Sequence, residues 1–282
     1  TMCKHDSTST EADCLFLPSH FAVDGAEPQE VLDRWVEGLV ESAKKVKAKF
    51  PPTAHKLGDD EREAFDVYGP MKSESLLIWM HGGYWQMGDR DDVAPLIEHM
   101  LAAGITVVSV GYRLASPDRP VTELIYDVAA AIEKILELFP DTARTIVGGH
   151  SAGGHLAYKA CAQLKSSRIS GVALVASILD VAELQPTVVG TPIGMKAEDV
   201  LEISCRVDEF SEEDNVETMF LVAGIDTPVY LNQASEFHEG LKERKVKSQL
   251  VVLPETDHFT ILDNFADECS KQTGLLKKFC TV

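Results

Sequence analysis

Hydrophobic residues along this chain follow two alternating rhythms. Short apolar runs of strand length occupy 64–68, 76–80, 105–110 and 145–149, and further runs begin near Val172, at 218–223 and at 250–253. Between them, apolar positions return every three or four residues, which predicts helices over 28–50, 91–103, 121–139, the stretch after Ser151, 232–245 and a final helix within 258–279. In the first of these, Val31, Leu32, Trp35, Leu39, Ala43, Val46 and Phe50 share one face. Strands alternating with helices predict an α/β fold whose mostly parallel sheet is covered by helices on both faces.

One segment breaks the rhythm. Residues 181–215 carry Pro186, Gly190, Pro192 and Gly194 before a short helical stretch at 197–204. Its place between chemically suggestive turns makes it a cap over a pocket or a surface connection, and periodicity leaves both open. No internal repeat and no low-complexity linker divide the rest. The expectation is a single domain over 1–282, with 181–215 as a cap segment and 1–13 as a flexible N-terminus.

Four of the strand ends carry chemistry. The run ending at Val147 leads into Gly149-His150-Ser151-Ala152-Gly153 and then a helix-forming stretch, the pattern of a nucleophile elbow. A serine at so sharp a turn projects its hydroxyl above the sheet, and the amide of Ala152 faces the space beside it. The run 76–80 ends in His81-Gly82-Gly83-Tyr84-Trp85, whose paired glycines let backbone amides face a cavity and complete an oxyanion hole. The plainer reading of Gly82-Gly83 is a tight turn, and of Tyr84 and Trp85 a piece of core; the order of the two motifs favours the loop. His81 is read as holding that loop by hydrogen bonding.

A serine hydroxyl needs a base, and the base needs an orienting acid. His258, in Pro254-Glu255-Thr256-Asp257-His258-Phe259 after the run 250–253, is the base; Asp226, after 218–223, is its orienter. Asp180 also follows an apolar run and is the rival acid. Asp257, adjacent to His258, is read as shaping the loop, and His238 as lying on a solvated helix face.

Composition narrows the partners. Twenty-six basic against 45 acidic residues leave a formal charge of −19, which argues against nucleic acid and anionic membrane surfaces. No apolar stretch approaches membrane-spanning length, and 1–13 is polar without the apolar stretch of a secretion signal. Six cysteines without a C-x-x-C pair fit reduced thiols in the cytoplasm. No metal or other cofactor is expected: H-E-x-x-H is missing, and His150 and His155, five apart, make a poor helical metal pair.

Taken together, His81-Gly82-Gly83-Tyr84-Trp85-Gln86, Gly149-His150-Ser151-Ala152-Gly153-Gly154-His155-Leu156, Asp226-Thr227-Pro228 and Asp257-His258-Phe259 resemble the kynurenine formamidases (arylformamidases) of the α/β-hydrolase superfamily. The similarity runs from about Phe16 to the final helix. H-G-G-x-W is its most specific part, since hormone-sensitive-lipase-like esterases usually carry a third glycine where Tyr84 stands. Thr227 replaces a common serine and Gly154 a common alanine, and neither removes a group the chemistry needs. The resemblance implies an α/β-hydrolase fold, Ser151, Asp226 and His258 as triad, and the amides of Gly82, Gly83 and Ala152 as oxyanion donors. It implies hydrolysis of N-formyl-L-kynurenine, a small-molecule substrate, to L-kynurenine and formate in tryptophan catabolism, and a homodimer. Tyr84 and Trp85 would wall the space for the aromatic leaving group. Two other readings use the same residues: a broad carboxylesterase, for which Gly111-Tyr112-Arg113-Leu114-Ala115 is a further point of likeness, and a non-catalytic ligand-binding protein on a hydrolase fold. Arg113 can equally be an ion-pair partner behind the oxyanion loop.

Overall fold

A computed structural model describes residues 9–281. In chain order the strands are β1 (Thr53–Lys56), β2 (Ala64–Tyr68), β3 (Ser75–Met80), β4 (Ile105–Val110), β5 (Arg144–His150), β6 (Gly171–Val175), β7 (Glu217–Ala223) and β8 (Ser248–Leu253). The helices are α1 (Glu11–Cys14), α2 (Pro28–Lys49), α3 (Ala94–Ala102), α4 (Val121–Leu138), α5 (Ala152–Leu164), α6 (Val200–Ile203), α7 (Pro228–Glu243), α8 (Thr260–Asp263) and α9 (Lys271–Cys280). Among the described residues the strands form one eight-stranded sheet in the order β1-β2-β4-β3-β5-β6-β7-β8. The β1–β2 and β2–β4 pairs are antiparallel and the remaining pairs parallel.

The strand alternation explains how one sheet makes two cores. In β3, Leu76, Ile78 and Met80 join the cluster beneath α4 and α5, while Leu77 and Trp79 enter the cluster on the opposite face with α3 and α9. Every residue of β3 and β4 is buried, which accounts for their continuous apolar runs. The edges are handled differently: β1 is mostly exposed and ends in Lys56, and β8 is half-buried to exposed until its last residue, Leu253, which is buried. No helix among the described residues is long and apolar enough to cross a membrane.

Several boundaries differ from the sequence pattern for local reasons. The 91–103 segment begins as a 3₁₀ turn, Arg90–Val93, capped by Asp89, and only then becomes α3. The 232–245 helix starts earlier, at Pro228, because proline at the first helical position is already set to helical φ. The final helical region is split, since Ser270 caps a fresh start by accepting from the Thr273 amide. The 197–204 stretch shortens to α6, and β1 lies where the polar Thr53-Ala54-His55-Lys56 carries no apolar signal.

The flexible N-terminus expected over 1–13 is corrected for its last five residues; 1–8 lie outside the described residues. Thr10 and Asp13 form a reciprocal capping box on α1, and Asp13 is buried, its Oδ1 accepting from the Val188 amide at 2.9 Å. Cys14 is disulfide-bonded, against the expectation of reduced thiols, whereas Cys161, Cys205, Cys269 and Cys280 are free.

Candidate active site

The parallel strands deliver their C-terminal ends to one edge of the sheet, and the turns carrying the candidate site residues lie there. Ser151 joins β5 to α5 with φ 55° and ψ −123°, a left-handed conformation costly for a residue with a side chain. Its backbone is locked on both sides: its amide donates to the Val175 carbonyl at 2.8 Å, and its carbonyl accepts from the amides of Gly154 and His155. Tight packing makes the turn's glycines obligatory. A Cβ on Gly153 would lie 2.2 Å from the Met80 carbonyl oxygen, so any larger residue would push α5 off the end of β3.

The H-G-G-Y-W loop leaves β3 beside this elbow. A Cβ on Gly82 would fall 3.2 Å from the Ser151 Cβ and 3.0 Å from His150 Nδ1, which shows how closely the loop backbone passes the nucleophile. Among the described residues no carbonyl or side chain accepts from the amides of Gly82 or Gly83. Ala152 is the first residue of α5, so its amide has no intrahelical acceptor either. The amides of Gly82, Gly83 and Ala152 therefore have no protein acceptor among the described residues, and Gly82 and Ala152 adjoin the serine.

His81 braces the loop. Its Nδ1–H donates to the Gly82 carbonyl at 2.9 Å, and its ring stacks on Tyr112 with centroids 4.1 Å apart, while the Tyr112 hydroxyl donates to the His81 carbonyl at 2.8 Å. Burial pushes the His81 imidazole down to about 4, so it is neutral near neutral pH and acts as a hydrogen-bonding strut. The loop then takes two successive positive φ values, 49° at Tyr84 and 62° at Trp85. Each is compensated by a contact. The Tyr84 hydroxyl donates to the Phe16 carbonyl at 2.6 Å and is met by the Tyr230 hydroxyl, and Trp85 is wholly buried against the edge of the His155 ring at 5.0 Å. Trp85 thus sits in the core behind the loop, and Tyr84 is half-buried on it.

Asp226 and His258 come from the ends of β7 and β8. Asp226 Oδ2 accepts from His258 Nδ1 at 2.7 Å, and its other oxygen accepts from the Thr227 amide at 2.7 Å. Both side chains are buried, and the aspartate of this pair is 0% exposed. An Nδ1–H held by a carboxylate leaves Nε2 as the lone-pair nitrogen, the tautomer that a general base requires. Asp180 is elsewhere: exposed, it accepts from Ser204 Oγ at 3.0 Å and from the Ala182 amide. Asp257 shapes the base loop, accepting from the amides of Phe259 and Thr260 with one oxygen and from Val23 with the other. His238 bonds Ser248, the first residue of β8, and Arg113 is paired with Asp127 at 2.7 Å and Glu63 at 3.4 Å.

The sequence reading passed over three contributors. Tyr230, from the first turn of α7, lies 5.4 Å from the His258 ring. Phe16 and Val23 place the N-terminal segment against both the Tyr84 loop and the base loop. Within 181–215, Val189 accepts from Gln86 of the oxyanion loop at 2.9 Å and Ile203 from His155 at 2.8 Å, which seats this segment over α5. Only Tyr230 left a trace in the pattern, as an aromatic one turn beyond Asp226-Thr227-Pro228. No cluster of metal-ligating side chains occurs among the described residues.

A family model for the alpha/beta hydrolase fold matches residues 77–262. The chain is 30% identical to the kynurenine formamidase of Danio rerio over 236 residues, covering 78% of this chain and 79% of the relative. The chain belongs to the kynurenine formamidase family. It is 27% identical to the kynurenine formamidase of Salmo salar across 97% of both chains. A solved structure from Silicibacter sp. TM1040, described as a candidate thioesterase, superposes with a TM-score of 0.74 at 23% identity, over 89% of this chain and 94% of that one. The matched range runs from β3 through the base loop, so it contains every turn described above. Membership makes the chain a hydrolase of α/β-hydrolase fold.

Proposed function

We propose that this protein hydrolyses N-formyl-L-kynurenine to L-kynurenine and formate through a formyl-serine intermediate. The observation that carries the chemistry is the 2.7 Å bond between Asp226 and His258 at the same sheet edge as the strained Ser151 and the unused amides of the H-G-G loop. Ser151 Oγ attacks the formyl carbon as His258 Nε2 takes its proton. The resulting oxyanion is held by amides among Gly82, Gly83 and Ala152. His258, now an imidazolium steadied by Asp226, gives the proton to the departing arylamine, and the carbon–nitrogen bond breaks. Water, deprotonated by His258, then attacks the formyl ester and releases formate and the free serine.

Substrate choice follows from space. The acyl side holds only a formyl hydrogen, so it needs little room, whereas the aromatic amine must be accommodated beside His258. Ser151 is 3% and His258 4% exposed. An arylamine therefore reaches them by displacing part of the covering layer, in which the Tyr230 hydroxyl meets that of Tyr84, which donates to Phe16. In this reading Tyr84 walls the leaving-group space and Trp85 fixes the wall from behind.

The test is to compare turnover of N-formylkynurenine with that of p-nitrophenyl esters on the same preparation. Formamide turnover at least matching ester turnover is expected. Fast ester hydrolysis with negligible kynurenine release would transfer the assignment to a carboxylesterase. No labelling of Ser151 by a fluorophosphonate in folded protein would favour a binding protein.

A further inference from the structure

His150, the last residue of β5, immediately precedes the nucleophile. Its side chain is 2% exposed, and its Nε2–H donates to the carbonyl oxygen of His258 at 2.8 Å. The two imidazole rings lie 4.8 Å apart, tilted by 51°. The Nδ1 edge faces Gly82, where an added Cβ would approach to 3.0 Å, and this nitrogen has no hydrogen-bond partner. One ring therefore touches the base loop and the oxyanion loop while being covalently joined to the elbow.

A second imidazole so near a general base has two conceivable roles, proton carrier or strut. Burial, with the neighbouring His258 adding to it, pushes His150 down to about 3, so the ring is neutral and holds its single proton on Nε2, committed to a carbonyl. It cannot trade protons with Ser151 from that position. What it does fix is the main chain of His258. The carboxylate of Asp226 holds the imidazole of the base at Nδ1, and His150 holds the backbone from which that imidazole hangs. Together they define both ends of the side chain whose Nε2 must find Ser151 Oγ, and misplacement by a single ångström is enough to cost on the order of 100-fold in rate.

We propose that His150 is a positioning residue, which sets the base relative to the nucleophile through its hydrogen bond to the His258 carbonyl. The proposal rests on the serine-hydrolase reading of Ser151 and His258 but not on the identity of the substrate. It is tested with His150→Phe, which keeps a ring and loses the donor, His150→Met, a second variant without a donor, and His150→Gln, whose amide nitrogen reaches about as far as Nε2. Each is measured for kcat and KM on N-formylkynurenine and for the rate of Ser151 labelling by a fluorophosphonate, with thermal unfolding as the check on folding. The expected result is a fall of about 10-fold to 100-fold in both kcat and labelling rate for the variants without a donor, with KM changed less than about twofold. His150→Gln should recover to within about threefold of wild type. Wild-type labelling by a folded His150→Phe or His150→Met, or His150→Gln slowed as much as both, would overturn the role. Absence of kynurenine release from the wild type, with labelling intact, would instead strike at the substrate assignment alone.

Discussion

The turns of the candidate active site and the segments 9–27 and 181–215 are built on different principles. The elbow, the H-G-G loop and the acid and base turns each follow directly from a strand of the parallel sheet, and glycines, positive φ values, bonds within each turn and bonds between neighbouring strand ends set their geometry. The segments 9–27 and 181–215 are instead tied down by bonds between residues far apart, among them Asp13 to Val188, Phe16 to Tyr84, Val23 to Asp257 and Gln86 to Val189. Under the proposed function this difference becomes a division of labour, in which the sheet edge sets the rate constant and the covering segments set which molecules reach it. Changes in the first region should act on kcat, and changes in the second on KM.

The largest effect should come from Asp226→Asn, which preserves the shape of the turn but removes the charge that holds the His258 tautomer; a fall in kcat of roughly 10⁴-fold is expected by steady-state assay. A loss below about tenfold would mean that another acid serves the base. Next is Gly82→Ala, whose methyl would press on Ser151 Cβ at 3.2 Å and move the oxyanion donors, with an expected loss of about 100-fold in kcat at nearly unchanged thermal stability. Smaller, and of the other kind, is Tyr84→Phe. It removes the donor to the Phe16 carbonyl and should raise KM several-fold, by about the worth of one hydrogen bond, while kcat stays within about threefold. A kcat effect larger than the KM effect there would erase the distinction between machinery and cover.

Acid stability offers a further comparison, since His81 and His150 belong to the machinery and His155 supports the 181–215 segment. Burial pushes them down to about 4, 3 and 3 from the ordinary 6.5. The unfolded chain binds these protons first, so the stability they carry is complete above about pH 6.5 and is lost as pH falls toward 4 and then 3. Asp92 and Asp263 oppose them: burial raises both carboxyls to about 6, so the folded form gains two protons on acidification that the unfolded chain takes up only near the ordinary 3.8. A net loss of stability between about pH 6.5 and 4 is expected in urea unfolding. His155→Gln, which can still donate to the Ile203 carbonyl, should flatten that slope by close to one proton. An unchanged slope would mean that His155 is solvated in the folded protein.

The same contrast explains what the amino-acid pattern disclosed. The alternation of strands and helices, the positions of Ser151, Asp226 and His258 at strand ends, and the bracing role of His81 are all encoded within a few residues of each site. Asp180 was a fair rival for Asp226 because both follow apolar runs; only the partners, Ser204 for one and His258 for the other, separate them. Phe16 and Val23 escape the pattern because their contributions are contacts spanning 68 and 234 residues of chain, with nothing local to mark them, whereas Tyr230 is marked only by its place just after Asp226-Thr227-Pro228. Trp85 looks like a pocket aromatic by its place in H-G-G-Y-W, and its burial against His155 comes from a helix more than sixty residues away in sequence. Its neighbour Tyr84, by contrast, keeps its hydroxyl at the junction of loop and cover.

The most direct test of the central claim is kynurenine release from N-formylkynurenine, followed by absorbance, for the wild type and for Ser151→Ala. The wild type is expected to turn the substrate over and the variant to lose roughly 10⁴-fold or more of that rate, with folding intact. Equal turnover by both would contradict the serine mechanism, and no turnover by either would contradict the substrate.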